Sequence, residues 1–525
     1  MKGKVNLKLR FICNKSNKHL SKLSQMQFSS IDDLNRLEYK IQLALKGLKL
    51  GDALHSLYIS KNNSTEIVPF TIAGFALLAT RFCLPSKASQ TLKSYNIQNL
   101  INLSNSYFLA DPITFDKELE EEFYNQNPIF MMLRSISSQF PFEPPLFGDF
   151  SRPFYLYHEI PKQLIGVEGI PDFDFESKFQ KITGVSTVDF ITLGFILHAV
   201  SDTSFTFSRE YFQKLRKQNI NVPDDRTVRF VLAELSGDKS KLIKLYEERK
   251  NSDRRFKAYD FNPFLQYPLI KPCQNKQFSK SKEEYYHAPV PNLIASRIST
   301  GIFYQMFNEY KIEFSNYFGF VFEKYVGLVL ENCVVSETIL SESDIRKFYP
   351  TNKGKVPDWV VLDGSTAILI ECKATRFSRA AQSIASEKVV NLSLKQVTKG
   401  LKQLTEFISA CRSKVTQLNK FHHCDKFISI VMSLEPMYLI NSDLFQNHID
   451  SLLEQKNIPK FDWQILSINE LESIQPHLIN GIKLSQVMEN LRQGSFNDVL
   501  DNLVAQTNPR RAKAAFEHAR RDPGL

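Results

Sequence analysis

The segment that most constrains this chain is Lys355-Val-Pro-Asp-Trp-Val-Val-Leu-Asp-Gly-Ser-Thr-Ala-Ile-Leu-Ile-Glu-Cys-Lys-Ala-Thr375. Two short apolar runs, Trp359 to Leu362 and Ala367 to Cys372, flank Asp363-Gly364-Ser365, a spacing that predicts a β-hairpin with a short turn. Asp358 stands at the mouth of the first strand. Side chains alternate along a strand, so Glu371 and Lys373 share a face with Leu369, while Ile368, Ile370 and Cys372 take the other. Charges at the end of an apolar strand are costly to bury alone, so a compensating ligand or partner is expected beside them.

The residue types indicate which ligand. Asp358 and Glu371 are hard oxygen donors suited to Mg²⁺ or Mn²⁺, and the Cys372 carbonyl is a further oxygen at the same strand end. A divalent cation held there would polarise a scissile phosphate and acidify a bound water. Lys373 would orient that water or neutralise charge developing on the phosphate. Pro357-Asp358, twelve intervening residues, and Glu371-Cys372-Lys373 together resemble the signature of the PD-(D/E)XK nuclease superfamily. The resemblance covers roughly residues 310 to 470. It implies an α/β, restriction-endonuclease-like core of αβββαβ topology that hydrolyses phosphodiesters, with DNA favoured over RNA as substrate. It also implies an acid on the first core helix, a place that Glu323 matches, and a polar residue on a later helix, a place that Gln396 matches. The plain alternative is a structural hairpin carrying one solvated acid and a surface lysine.

The pattern around the motif fits such a core. Phe314, Tyr317, Phe318, Val321, Phe322, Tyr325, Val326, Val329 and Leu330 follow helical spacing, with Glu323 off that stripe between Gly319 and Gly327. A long helical pattern runs to about residue 413, and Lys388, Lys395, Lys399 and Lys402 fall on one of its faces. Residues 375–420 hold nine Lys/Arg and two Asp/Glu, a net of +7. A basic face beside an acidic metal site suits a phosphate backbone, because each contact releases counterions. Lys426 to Met432 and Trp463 to Ser467 read as two further buried strands around a helix.

At 525 residues the chain has room for two to four domains. We divide it into a mostly α-helical region at 1–290, the nuclease-like core at 291–475, and a helical extension with a basic tail at 476–525. The Pro- and Phe-rich stretch from 135 to 175 is expected to be an ordered surface loop. Two similar apolar segments, 70–79 and 190–199, predict buried helices packed closely at Gly74 and Gly194. Residues 1–50 carry a net charge of +8 and residues 111–180 a net of −8. The seven cysteines form no CxxC pair, which favours a reducing, cytoplasmic setting. The N-terminus lacks the apolar run of a signal peptide, and Val68 to Thr80 is too short to span a membrane.

The expected partners are therefore nucleic acid and, through the helical region, a protein. A two-fold dimer would suit double-strand cleavage. Joining such a core to a large helical region resembles bacterial defence or restriction effectors, at the level of fold analogy. The competing reading is a non-cleaving nucleic-acid-binding or interaction subunit with the same fold.

Overall fold

The computed structural model describes residues 28–63, 67–86, 92–124, 129–142, 148–271, 285–334, 337–491 and single positions between 496 and 503. Most of the basic start, the Lys-rich stretch 274–284 and the basic tail 509–521 lie outside the described residues. What is described is a helical region joined to an α/β unit.

The helical region begins with α1 (Ile31–Lys46), α2 (Leu50–Asn63), α3 (Pro69–Phe82), α4 (Ser94–Phe108) and α5 (Ile129–Gln139). The Ser30 side chain accepts the Asp33 N–H and starts α1, whose Leu34, Leu37, Ile41 and Leu45 are buried at helical spacing. Helix α3 is apolar on nearly every side and is correspondingly buried. Gly74 explains how close its neighbour comes, since a Cβ there would lie 2.5 Å from the Phe108 ring. Gly194 plays the same part in α6 (Thr187–Thr203), where a Cβ would lie 2.2 Å from Ile298.

Of the stretch expected to be a surface loop, residues 135–142 and 148–164 are helical and partly in the core, 165–174 hold no helix, and 143–147 lie outside the described residues. Residues 148–154 and 160–164 form α-helical turns around a π-helical turn, Tyr155–Glu159, with Leu156, Tyr157 and Ile160 buried. The prolines did not prevent this. Pro161 sits at the start of its turn, where its missing N–H is not needed, and Ile160 donates five residues back to Tyr155. The apolar spacing of Phe154, Tyr157 and Ile160 outweighed the Pro signal.

Four three-residue strands, β1 (Thr206–Ser208), β2 (Ser236–Asp238), β3 (Leu269–Lys271) and β4 (Tyr285–His287), form a small mixed sheet in the order β1-β4-β3-β2. Then follows α7 (Thr300–Cys333), kinked at Lys311 where φ is +48°. The second sheet has β5 (Thr338–Ser341), β6 (Trp359–Asp363), β7 (Thr366–Lys373), β8 (Lys426–Ser433) and β9 (Trp463–Ser467), hydrogen-bonded in sequence order. Strands β5, β6 and β7 are antiparallel, and β7, β8 and β9 are parallel. The crossovers carry α8 (Arg379–Ser383) and α9 (Glu387–Arg412) between β7 and β8, and α10 (Asp443–Glu454) between β8 and β9. From α7 to β8 the order of principal elements is thus α, three strands, α, strand.

Asp363 pairs with Thr366, so the hairpin closes on the two residues Gly364-Ser365, with Gly364 at φ +56° where glycine is favoured. The middle of β7 is buried on both faces, as a strand flanked by helices must be. Ile368 and Ile370 join the core containing α7, and Ala367 and Leu369 join the cluster containing Leu404 and Phe407 of α9. The principal core runs continuously from Leu156 to Leu503 and includes α6, α7 and the inner sheet face. Val290 and Pro291, the expected junction, are both buried.

Among the described residues no single helix is long and apolar enough to cross a membrane. One bent pair, Phe175–Thr183 with Thr187–Ser201, has the length and composition but supplies core residues such as Phe179 and Phe190. Cys83, Cys333, Cys372, Cys411 and Cys424 are free thiols.

Candidate metal centre

Three local devices bring acids together at one end of the β6–β7 hairpin. The first is Gly327. A Cβ there would lie 1.9 Å from the Trp359 ring, so only glycine lets the indole rest on α7. The indole Nε1–H donates to the Glu323 carbonyl at 3.1 Å, which sets the start of β6 one helical turn from the Glu323 side chain. The second is Asp358 itself. Its Oδ2 accepts the Cys372 N–H at 2.6 Å, beyond the last ladder pair, Trp359 with Ile370. The third is the turn after β5, where the Glu342 N–H donates to the Asp358 carbonyl at 2.8 Å. Ser341 and Asp344 form a capping box there, which places Glu342 in the first turn of the short helix that follows.

As a result Glu323, Glu342 and Asp358 offer oxygens that all lie within 4.8 Å of one another. Glu371 adjoins them from β7. Its side chain is 1% exposed, its Oε1 accepts from Lys373 Nζ, and its Oε2 has no hydrogen-bond partner among the described residues. Gly400 of α9 makes room for this pair, since a Cβ there would lie 3.2 Å from Glu371 Cγ and 3.6 Å from Lys373 Cε.

Such crowding shifts the proton equilibria. Burial, followed by the charges of Glu342 and Glu371, pushes the Glu323 carboxyl up to about 7. Burial, then Glu371 and Glu323, holds Asp358 well above the usual carboxylate range, although the Cys372 N–H opposes the shift. Burial also raises Glu371, with Lys373 pulling the other way. Burial would lower Lys373, but the attraction of Glu371 outweighs it and the ammonium is held more firmly than usual. Two unit charges 4.8 Å apart repel by about 3.5 kcal/mol at an effective dielectric of roughly 20. Four ionised acids around the Lys373 ammonium, with Lys324 and Lys355 acting from the exposed rim, are therefore unfavourable without a further cation. Convergent carboxylates at this spacing, with an orphaned Glu371 oxygen beside them, fit a hard divalent ion.

The residues expected from the sequence fall as follows. Asp358, Glu371, Lys373 and Glu323 gather at the same strand ends. Cys372 meets Asp358 through its amide, and burial, followed by the charges of Asp358, Glu323 and Glu371, raises its thiol well above the usual range. Lys388, Lys395, Lys399 and Lys402 are exposed along α9, as is Gln396, and Lys402 pairs with Glu406 at 3.8 Å. Sequence reasoning missed Glu342. The signal was Ser341-x-x-Asp344, which marks a helix start immediately after a strand. It also missed Gly400 and Gln403. Gln403 is half-buried one turn from Gly400, and its Oε1 lacks a partner among the described residues. Comparisons of this chain with family models, with curated proteins and with solved structures find no match.

Proposed function

We propose that the chain is a metal-dependent nuclease that hydrolyses phosphodiester bonds, with DNA favoured over RNA. The observation that carries this reading is the convergence of Glu323, Glu342, Asp358 and Glu371 beside Lys373 at the end of the β6–β7 hairpin. The order of α7, β5 to β7, α9 and β8 supports a PD-(D/E)XK-like core, and the exposed lysines of α9 support nucleic acid as the substrate.

Each residue then has a role. Asp358, Glu323 and Glu342 would hold Mg²⁺ or Mn²⁺, with Glu371 Oε2 as a further donor. Bound there, the cation would supply Lewis-acid polarisation of the phosphate and an acidified water. The Cys372 N–H fixes one Asp358 oxygen, which leaves the other for the ligand and aims it. Lys373, kept protonated by Glu371, is positioned to neutralise charge developing on the phosphate. Lys388, Lys395 and Lys399 would track the backbone of the strand being cut.

A cleavage assay on plasmid and single-stranded DNA, with Mg²⁺ or Mn²⁺ and with chelator, tests the proposal. Metal-dependent cleavage that is lost in Asp358→Asn supports it. Binding of nucleic acid with no cleavage under any metal would move the reading to a non-cleaving subunit.

A further inference from the structure

Three exposed side chains beside the acid cluster have no part in holding a metal. Helix α7 turns the stripe from Phe314 to Leu330 into the core. Asn316, Phe320 and Lys324 stand outside that stripe at four-residue spacing, so they line one exposed edge of the helix. Phe320 is 37% exposed and lies one helical turn before Glu323, a separation of about 5–6 Å between Cβ atoms. Gly319, one turn before Glu323 on the other flank, leaves open space, since a Cβ there would meet nothing within 4 Å. Lys324 follows Glu323 directly, and its charge acts on that carboxyl. The third side chain is Lys355, exposed on the loop into β6, which buried Val356 and Pro357 anchor. It precedes Asp358 by three residues, and its charge acts on Glu371.

A lone exposed phenylalanine is ordinary. What sets Phe320 apart is its company. The rings of Phe303, Phe314 and Phe318 pack on one another, whereas Phe320 meets no other ring among the described residues. Its free ring stands one turn from a carboxylate of the proposed metal centre, with an exposed ammonium one turn further on. An aromatic face beside exposed cations is what a single strand needs, because a base stacks on the ring while phosphates meet the lysines. A paired base already has neighbours on both faces and must leave the stack to offer one. Lys388, Lys395 and Lys399 of α9 are cations alone, which attract paired and unpaired strands alike.

We propose that Phe320, Lys324 and Lys355 form a strand-binding rim, that Phe320 stacks on a base beside the scissile phosphate, and that the substrate is therefore an unpaired DNA strand. The inference rests on the nuclease reading for the place of the cut, although not for the binding itself. Phe320 is a specificity residue in this account, and the two lysines hold the phosphates of the strand it selects.

The test is fluorescence anisotropy of the full chain, in chelator, with one labelled DNA oligonucleotide, alone and annealed to its complement. Wild type is compared with Phe320→Ala, Phe320→Tyr and the double variant Lys324→Gln/Lys355→Gln. All three positions are exposed, and alanine is the strongest helix former, so the variants should fold as wild type does. Wild type should prefer the single strand. Phe320→Ala should weaken single-strand binding roughly tenfold, the order of one base–aromatic stack, and leave duplex binding unchanged. Phe320→Tyr keeps a ring and should restore the preference. The double lysine variant should lower the salt slope of single-strand binding by about 1.4, or 0.7 for each lost phosphate contact. Duplex bound as tightly as the single strand, binding of neither, or Phe320→Ala equal to wild type overturns the proposal. Chelator prevents cleavage, so the two readings fail separately. A chain that binds single strands through Phe320 and never cuts would contradict the nuclease reading alone. One that cuts but is indifferent to Phe320 would contradict this inference alone.

Discussion

Replacing Glu323 by Gln should stabilise the metal-free protein at alkaline pH while destroying its response to metal. Glu323 titrates near 7 in the folded protein against 4.5 for a free side chain. Between those values the folded state holds a proton that the unfolded state has lost, so stability falls as pH rises through this window. A difference of two and a half pH units corresponds to about 3 kcal/mol, lost progressively above pH 4.5 and fully by about pH 8. Gln keeps the shape and carries no charge, so this loss should vanish. The assay is urea unfolding of wild type and Glu323→Gln in chelator at pH 5 and pH 8. The variant should gain up to about 3 kcal/mol over wild type at pH 8, with little difference between the two at pH 5. With Mg²⁺ at a hundred times its dissociation constant, wild type should gain about 2.7 kcal/mol and the variant far less. A wild-type-to-variant gap that does not change with pH would refute the picture of Glu323 as an acid strained by its neighbours.

Lys373→Met should lower cleavage by roughly 10²–10³ if the ammonium neutralises charge in the transition state. It should also destabilise the fold, because Glu371 would be left buried without its cation. Changing Lys388, Lys395 and Lys399 together to Gln should reduce the salt dependence of DNA binding by a slope of roughly 3, about 0.9 for each lost phosphate contact. An unchanged slope would assign those lysines to solvent. Gly327→Ala should cost on the order of 1–3 kcal/mol by pushing Trp359 off α7, and metal affinity should fall with it. Gly319→Ala, with nothing within 4 Å of its Cβ, should be neutral or stabilising in the same denaturation assay.

The hairpin and its neighbouring helices were legible because local signals agreed. The apolar run from Ala367 to Cys372, the turn at Gly364 and the stripe from Phe314 to Leu330 each point to one structure. Gly74 and Gly194 were legible as close-packing positions for the same reason. What could not be read was tertiary. Gly327 stands one turn from Glu323 in the helical pattern, but only the structure reveals that Trp359 packs on it and thereby positions Asp358. Glu342 entered the cluster through a backbone hydrogen bond between segments sixteen residues apart, which no periodicity encodes. The 148–164 helices were hidden by their prolines, and the small sheet of three-residue strands was too short to leave a pattern. Side-chain direction at the strand end was partly legible. Glu371 and Lys373 share a face, but only the structure reveals that they pair with each other.

The most direct measurement is cleavage of DNA by the purified full chain in Mg²⁺ or Mn²⁺, with Asp358→Asn beside it and calorimetric Mn²⁺ binding recorded for both. We expect the wild type to bind the ion and cut, the chelator to stop it, and the variant to lose binding and cutting together. Cleavage that persists in Asp358→Asn, or a wild type that binds no divalent ion at this cluster, would contradict a metal centre built on these acids.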